Sequence, residues 1–178
     1  MTEILKVKDL RISFFTHVGE VKAIRGVDFS VKEGEIVGIV GESGSGKSVT
    51  SLSVMGLLQR PGKVIGGEIL FKGEDLLKKS KRDMVSLRGN EISMIFQDPM
   101  TSMNPVYTVG RQIEEAISNH MKLSKEELKA KTVEMLDMVK IPSPEQRVKN
   151  YPHEFSGGMR QRAMIAMALA CGPDLLIA

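Results

Sequence analysis

The chain has 178 residues, 42% of them hydrophobic and 26% charged, with a net charge of +3 from 25 basic and 22 acidic side chains. That suits one soluble globular domain with a core of its own, and with the signs interspersed the charge does not imply nucleic-acid binding, so no nucleic-acid partner is expected. The single cysteine, Cys171, excludes an internal disulfide, and the longest apolar run, residues 163–171, is far too short to span a bilayer.

The N-terminal residues, Met1-Thr2-Glu3-Ile4-Leu5-Lys6, lack the apolar stretch of a secretory signal. The expectation is a soluble, cytoplasmic chain that meets a membrane only through a partner. Residues 5–8 and 12–14 alternate in polarity, and residues 21–31 alternate again around Gly26, so the chain begins β-rich. Residues 35–40 form a short apolar run of strand length. Residues 49–58 carry helical spacing and stop near Arg60-Pro61-Gly62.

Between that run and that helix stands Gly41-Glu42-Ser43-Gly44-Ser45-Gly46-Lys47-Ser48, a complete G-x-x-x-x-G-K-[ST] phosphate loop. Glycines at 41, 44 and 46 let consecutive backbone N–H groups turn inward around phosphate oxygens. The following helix directs its positive end at the same anion. In this motif Lys47 reaches the β- and γ-phosphates and the Ser48 hydroxyl ligates Mg²⁺. A plain glycine-rich turn is the competing reading, and the flanking strand and helix patterns argue against it.

Further along, residues 67–72 read as a strand, residues 79–88 as a short helix closed by Gly89 and Asn90, and residues 92–96 as a buried strand. From 109 to 152 the pattern is helical. Val109, Ile113, Ala116 and Ile117 share one face. Ser124 and Glu127 have capping-box spacing for a helix running to Lys140, with Val133, Met135, Leu136 and Val139 as its core stripe. Residues 141–144 end it. Ser156-Gly157-Gly158 opens a helix over 159–170, Gly172-Pro173 breaks it, and residues 175–178 begin a strand. The 12 methionines fall mostly in helical stripes and read as core filler. Cys171 reads as a small core residue, and His17 and His153 as structural or solvated groups. The basic cluster at 78–82 reads as a solvated loop.

Three further segments carry a family resemblance. Phe155-Ser156-Gly157-Gly158-Met159-Arg160-Gln161-Arg162 resembles the signature sequence of ATP-binding-cassette (ABC) ATPases, and Ile95-Phe96-Gln97-Asp98-Pro99 resembles their Q-loop. Phe14 lies at the position of their adenine-stacking aromatic, with Phe15 as the neighbouring fallback. The wording of residues 97–105 and 151–162 is similar to ATP-binding subunits of oligopeptide and dipeptide importers, and nickel importers share it. The resemblance covers residues 4–178. Two departures are minor: Met159 replaces the commoner Gln, and Val49, at a position where relatives often offer a Thr hydroxyl, keeps only its backbone N–H.

The resemblance implies an α/β P-loop NTPase with a RecA-like core. An antiparallel β subdomain and the phosphate-loop core would occupy residues 1–97, an inserted helical subdomain 98–155, and the signature helix with the start of the Walker B strand 156–178. It implies ATP and Mg²⁺ as cofactors, held by residues 41–49, Phe14, Ser156, Gly157 and Gly158, with Ser48 and Gln97 at the metal. Gln97, a neutral amide, would ligate Mg²⁺ or orient the attacking water. Taken alone, Ser156 also suits a simple helix N-cap, and Phe14 suits a strand core as well as an adenine platform.

The implied activity is ATP hydrolysis that drives peptide import from the cytoplasmic face of a cell membrane. The implied partners are transmembrane permease subunits, contacted by the loop 98–107, and a second ATPase chain joined head to tail. A heterodimer is expected before a homodimer, and a solute-binding protein takes part indirectly. The Walker B Asp and catalytic Glu of the family fall beyond Ala178, so residues 1–178 by themselves are expected to bind ATP with little hydrolysis. A non-transport ABC ATPase would carry a coiled-coil insertion or tandem cassettes. A non-enzymatic binding module would bind without turnover, and a small-molecule kinase has no use for the signature helix.

Overall fold

The computed structural model describes residues 2–97 and 102–178. They form two compact units, Met1–Val85 and Ser86–Ala178. In the first unit the two alternating segments at 5–8 and 12–14 become a single strand, β1 (Glu3–Thr16). Its pairing with β4 (Gly62–Phe71) shifts register between Lys8 and Arg11, around Asp9 at φ 44°. Such a bulge bends a strand while both halves stay paired. Gly67 faces it at φ +89°, where a Cβ would sit 2.4 Å from the Asp9 carbonyl oxygen. Only glycine permits that approach.

The expected alternation over 21–31 divides at Gly26 into β2 (Gly19–Arg25) and β3 (Phe29–Lys32). Both pair antiparallel with β1, on its C-terminal and N-terminal halves respectively. β4 lies on the other edge of β1 and begins before the expected 67–72, and a short β5 (Glu74–Asp75), not expected from sequence, follows it. Leu5, Val7, Leu10, Ile12, Ile24, Ile69 and Phe71 are buried. α1 (Lys47–Val54) ends sooner than the expected 58. Gly56, at φ +61°, donates to the Ser53 carbonyl at 3.0 Å, and Leu57 donates to that of Leu52 at 2.8 Å. This paired closure with a left-handed glycine terminates a helix.

One expectation is corrected. Residues 35–40 were expected to be the strand that enters the phosphate loop, but they carry no strand pairing, and Ile36 is 99% and Val40 93% exposed. An apolar run becomes a strand only where a neighbour completes its hydrogen bonds and a layer covers its faces. Neither is supplied to this run among the described residues.

α2 (Lys81–Leu87) spans the division between the units. In the second unit β6 (Ile92–Met94) pairs parallel with β7 (Leu175–Ile177), as the open α/β pattern requires, and Ile95 N–H extends the ladder to Ile177 O at 2.8 Å. Among the described residues it is accompanied by the helices α3 (Val109–Ser118), α4 (Lys125–Met138), α5 (Pro144–Arg147) and α6 (Gly157–Leu169). Val109, Ile113 and Ile117 of α3 are fully buried with Leu136 of α4 and Ala163 and Ala166 of α6. The alanines let α6 lie close to its neighbours.

The capping box is present: Glu127 N–H donates to Ser124 Oγ at 3.3 Å and Ser124 N–H to the Glu127 carboxylate at 2.8 Å. α5, short and opened by Pro144 at its first turn, was not foreseen. Met103 and Met135 lie in this core, with Met159 and Met167 packed against it, so the methionines do fill space. The Cys171 thiol is half-buried, lies 3.7 Å from the Ala116 carbonyl oxygen, and is pushed up in pKa by burial, as suits an unreactive core thiol. No helix among the described residues is long and apolar enough to cross a membrane.

Candidate functional site

The phosphate loop leads into α1 of the first unit. Its last glycine, Gly46, is the N-cap at φ 98° and has no side chain with which to cap the helix, so side-chain capping does not consume the amides at this end. Gly44 also has positive φ, +81°. A Cβ at Gly41 would fall 2.6 Å from Ser45 Oγ, and one at Gly46 would fall 2.2 Å from Ile24 Cδ1. The first glycine therefore lets the loop close on itself, and the last lets it rest on β2. Ile24 as that prop escaped the sequence argument, because the contact joins segments far apart along the chain.

Lys47 folds back over the loop. Its ammonium donates to the carbonyl oxygens of Gly41 at 2.6 Å and Glu42 at 2.8 Å, and lies 3.4 Å from Ser45 Oγ. Ser45 N–H closes a turn onto Glu42 O at 3.2 Å. A cation and a helix N-terminus thus converge on one exposed concave loop formed by Gly41, Glu42, Ser43, Gly44 and Ser45. That arrangement fits a phosphate chain. Ser48 is exposed on the first turn, and Val49 is half-buried. Among the described residues no cluster of three or more His, Cys, Asp or Glu could hold a metal by itself. A Mg²⁺ at Ser48 would therefore draw most of its ligands from phosphate oxygens and water, as this ion commonly does.

Phe14 is half-buried on β1, opposite Val21 on β2 and Gly62 on β4. Its Cε1 would lie 2.9 Å from a Cβ at Gly62. Ile12, two positions earlier, pairs with Ile24. The β1–β2 register shifts between these two pairs, between Ile12 and Ser13. Phe15 points to the other face, 45% exposed, with the Lys63 ammonium 5.6 Å from its ring centre.

Gln97 and the signature residues belong to the second unit. Gln97 is exposed just past β6. Ser156 is the N-cap of α6, and its Oγ accepts from Met159 N–H at 3.3 Å. The simple capping role weighed from sequence is thus realised. Gly157 and Gly158 are exposed, and a Cβ at either would meet nothing within 4 Å. Their smallness serves no contact inside this unit. Arg162 Nη1 donates to the Lys140 carbonyl at 2.7 Å, tying α6 to the turn after α4. Of the loop 98–107, residues 98–101 lie outside the described residues. In its remainder, Gln112 accepts from Asn104 N–H at 2.8 Å and donates to the carbonyls of Asn104 and Tyr107, both at 3.0 Å.

The ABC transporter family model matches residues 24–178. The oligopeptide transport ATP-binding protein OppD of Bacillus subtilis is 59% identical over all of this chain and half (50%) of its own length. The probable peptide ABC transporter ATP-binding protein y4tR of Sinorhizobium fredii is 58% identical, over 98% of this chain and 52% of the relative. The chain thus spans about half the length of the curated relatives it matches. Among solved structures, the dimeric post-hydrolysis state of the ATP-binding cassette MJ0796 bound to ADP and Pi superposes with a TM-score of 0.84 at 28% identity, covering 97% of this chain and 72% of that one. CbiO1 of Clostridium perfringens, part of the transporter complex cbiONQ, gives 0.78, also at 28% identity, over 99% and 64%. The P-loop NTPase fold expected from the resemblance is therefore present, and the chain belongs to the ABC transporter family.

Proposed function

We propose that this chain is the nucleotide-binding part of an ATPase subunit that powers import of peptides across a cell membrane. The observation that carries the proposal is the Lys47 ammonium held over a glycine loop at a helix end with no side-chain cap. The triphosphate would sit in the loop 41–48, contacted by the backbone through Val49, and the adenine against Phe14. Ser48 and Gln97 would hold Mg²⁺, whose chemistry is to neutralise charge on the transferring phosphoryl group. Gln97 would also orient the attacking water. The segments 1–97, 98–155 and 156–178 would act as nucleotide-binding core, helical subdomain and signature helix.

The peptide assignment rests on the relatives' names and high identity. The partners in this reading are permease subunits at the cytoplasmic face of the membrane and a second ATPase chain, a different one before an identical one. A solute-binding protein acts through the permease. Each nucleotide would lie between one chain's phosphate loop and the other's Ser156-Gly157-Gly158 turn, whose open glycines leave room for it. The γ-phosphate would then favour closure because both helix ends stabilise it.

Ser156→Arg in the full-length protein tests this. ATP should still bind the isolated subunit, while ATP-driven dimerisation, followed by sedimentation, should be lost. Lost binding by the monomer with dimerisation intact would place Ser156 in its own chain's site and overturn the head-to-tail arrangement.

A further inference from the structure

The strap that leads into the signature turn is closed by side-chain hydrogen bonds, one of them the capping-box bond of its own short helical turn. Asn150 uses both of its polar ends. Its backbone carbonyl accepts from Val109 N–H, at the start of α3, at 2.9 Å. Its side-chain amide donates to Glu154 Oε1 at 2.8 Å. Glu154 Oε2 accepts from Tyr151 N–H at 2.6 Å. Both carboxylate oxygens thus close the turn Pro152–Glu154, which ends two positions before Ser156.

The other end of the strap is equally fixed. Gly110 N–H donates to Val148 O at 3.0 Å, and a Cβ at Gly110 would stand 2.5 Å from that oxygen. The first turn of α3 therefore receives its backbone caps from residues 148–150. The same helix holds the preceding loop through Gln112, which bonds Asn104 and Tyr107. One residue, Asn150, joins the α3 end to the turn Pro152–Glu154, which leads into the signature turn.

The Phe155 side chain, 3% exposed, anchors the strap in the core, yet Glu154 is itself exposed. An exposed carboxylate that engages two donors at good distance fixes backbone direction rather than burying surface. The backbone it fixes runs directly into the N-terminal turn of α6. Amides aimed at an anion lose their effect when the turn rotates away.

We propose that Glu154, with Asn150, is a positioning residue: it fixes the Ser156-Gly157-Gly158 turn relative to α3, so that this turn meets the nucleotide held by the other chain. The proposal rests on the head-to-tail arrangement given above. It adds that the aim of the turn is set by the Asn150–Glu154 pair and not by the Ser156 cap alone.

The test uses full-length protein carrying Glu154→Ala, Glu154→Gln, Asn150→Ala or the double alanine change, with Ser156→Arg as reference. Two quantities are read on the folded fraction: the ATP dissociation constant of the monomer and the ATP-driven dimer affinity. Glu154→Ala should leave the first unchanged and weaken the second about ten-fold. Glu154→Gln, which keeps one accepting oxygen, should fall between. The double change should be no worse than Glu154→Ala alone, because Asn150→Ala removes only a bond that Glu154→Ala already removes. If Glu154→Ala fails to fold, Glu154→Gln and Asn150→Ala decide by the same split. Dimer affinity unaltered in these variants while Ser156→Arg abolishes it would overturn the positioning role alone. Intact dimerisation in Ser156→Arg would overturn the arrangement beneath it, and the positioning role with it.

Discussion

The two helix ends that carry the family motifs are built in opposite ways. At α1 the N-cap is a left-handed glycine with no capping side chain, and a lysine from the first turn lies folded over the loop. At α6 the N-cap is Ser156 in extended conformation, and its hydroxyl already satisfies one amide of the turn. The first end brings its own cation and its own concave loop, so it can hold an anion unaided. The second offers fewer amides and an open glycine surface. It is suited to add to an anion held elsewhere. In the proposed function, two sites with the same helix-dipole physics would divide the work: one would bind, and the other would complete.

The sharpest way to break that contrast is to fill the glycine cradle. Gly46→Val places a β-branched side chain at φ 98°, with its Cβ 2.2 Å from Ile24 Cδ1. The strain of a non-glycine left-handed residue is about 1–3 kcal/mol before any clash. ATP binding measured by calorimetry should fall below detection while the circular dichroism of the folded protein persists. Retained binding would mean that the loop can move away from β2 without losing the phosphate.

A smaller effect is expected at the other end. Ser156→Ala removes only the cap to Met159, at a cost of about 0.5–2 kcal/mol in stability. The thermal midpoint should drop accordingly, while the ATP affinity of the monomer stays constant. A change in that affinity would blur the division of roles.

The smallest effect concerns Glu127, remote from both motifs. Its carboxyl is held below the usual carboxylate range by the Ser124 backbone N–H and, next, by the Ser124 side chain. A lowered native pKa adds stability that is present above the ordinary carboxylate range and is lost as pH falls through the lowered value. Glu127→Gln should therefore reduce the thermal midpoint slightly near neutrality and match the parent in strong acid. A difference that persisted or grew in acid would show that the capping box acts through something other than that carboxylate.

Local chemistry explains which features could be read from sequence. The phosphate loop, the Ser124–Glu127 box and the α3 stripe are fixed by residues within a turn or two of each other, and all were legible. The end of α1 was legible too, had Gly56 been given its weight. Features set by distant partners were not legible. β1 runs unbroken because Gly67 on β4 admits the bulge at Asp9. Residues 35–40 have strand composition, but composition cannot supply the neighbouring strand, and the run is exposed without one. At the site, the support that Ile24 gives Gly46 and the Asn150–Glu154 strut depend on how separate segments meet. Neither has a spacing rule.

The most direct measurement of the central claim is a calorimetric titration of Mg·ATP into three monomeric full-length proteins: parent, Lys47→Ala and Ser156→Arg. Lys47→Ala should weaken binding by more than about ten-fold, equivalent to roughly 1.4 kcal/mol or more. Ser156→Arg should bind as the parent does. Parent-like affinity in Lys47→Ala, or a comparable loss in Ser156→Arg, would contradict the assignment of binding to the phosphate loop and completion to the signature turn.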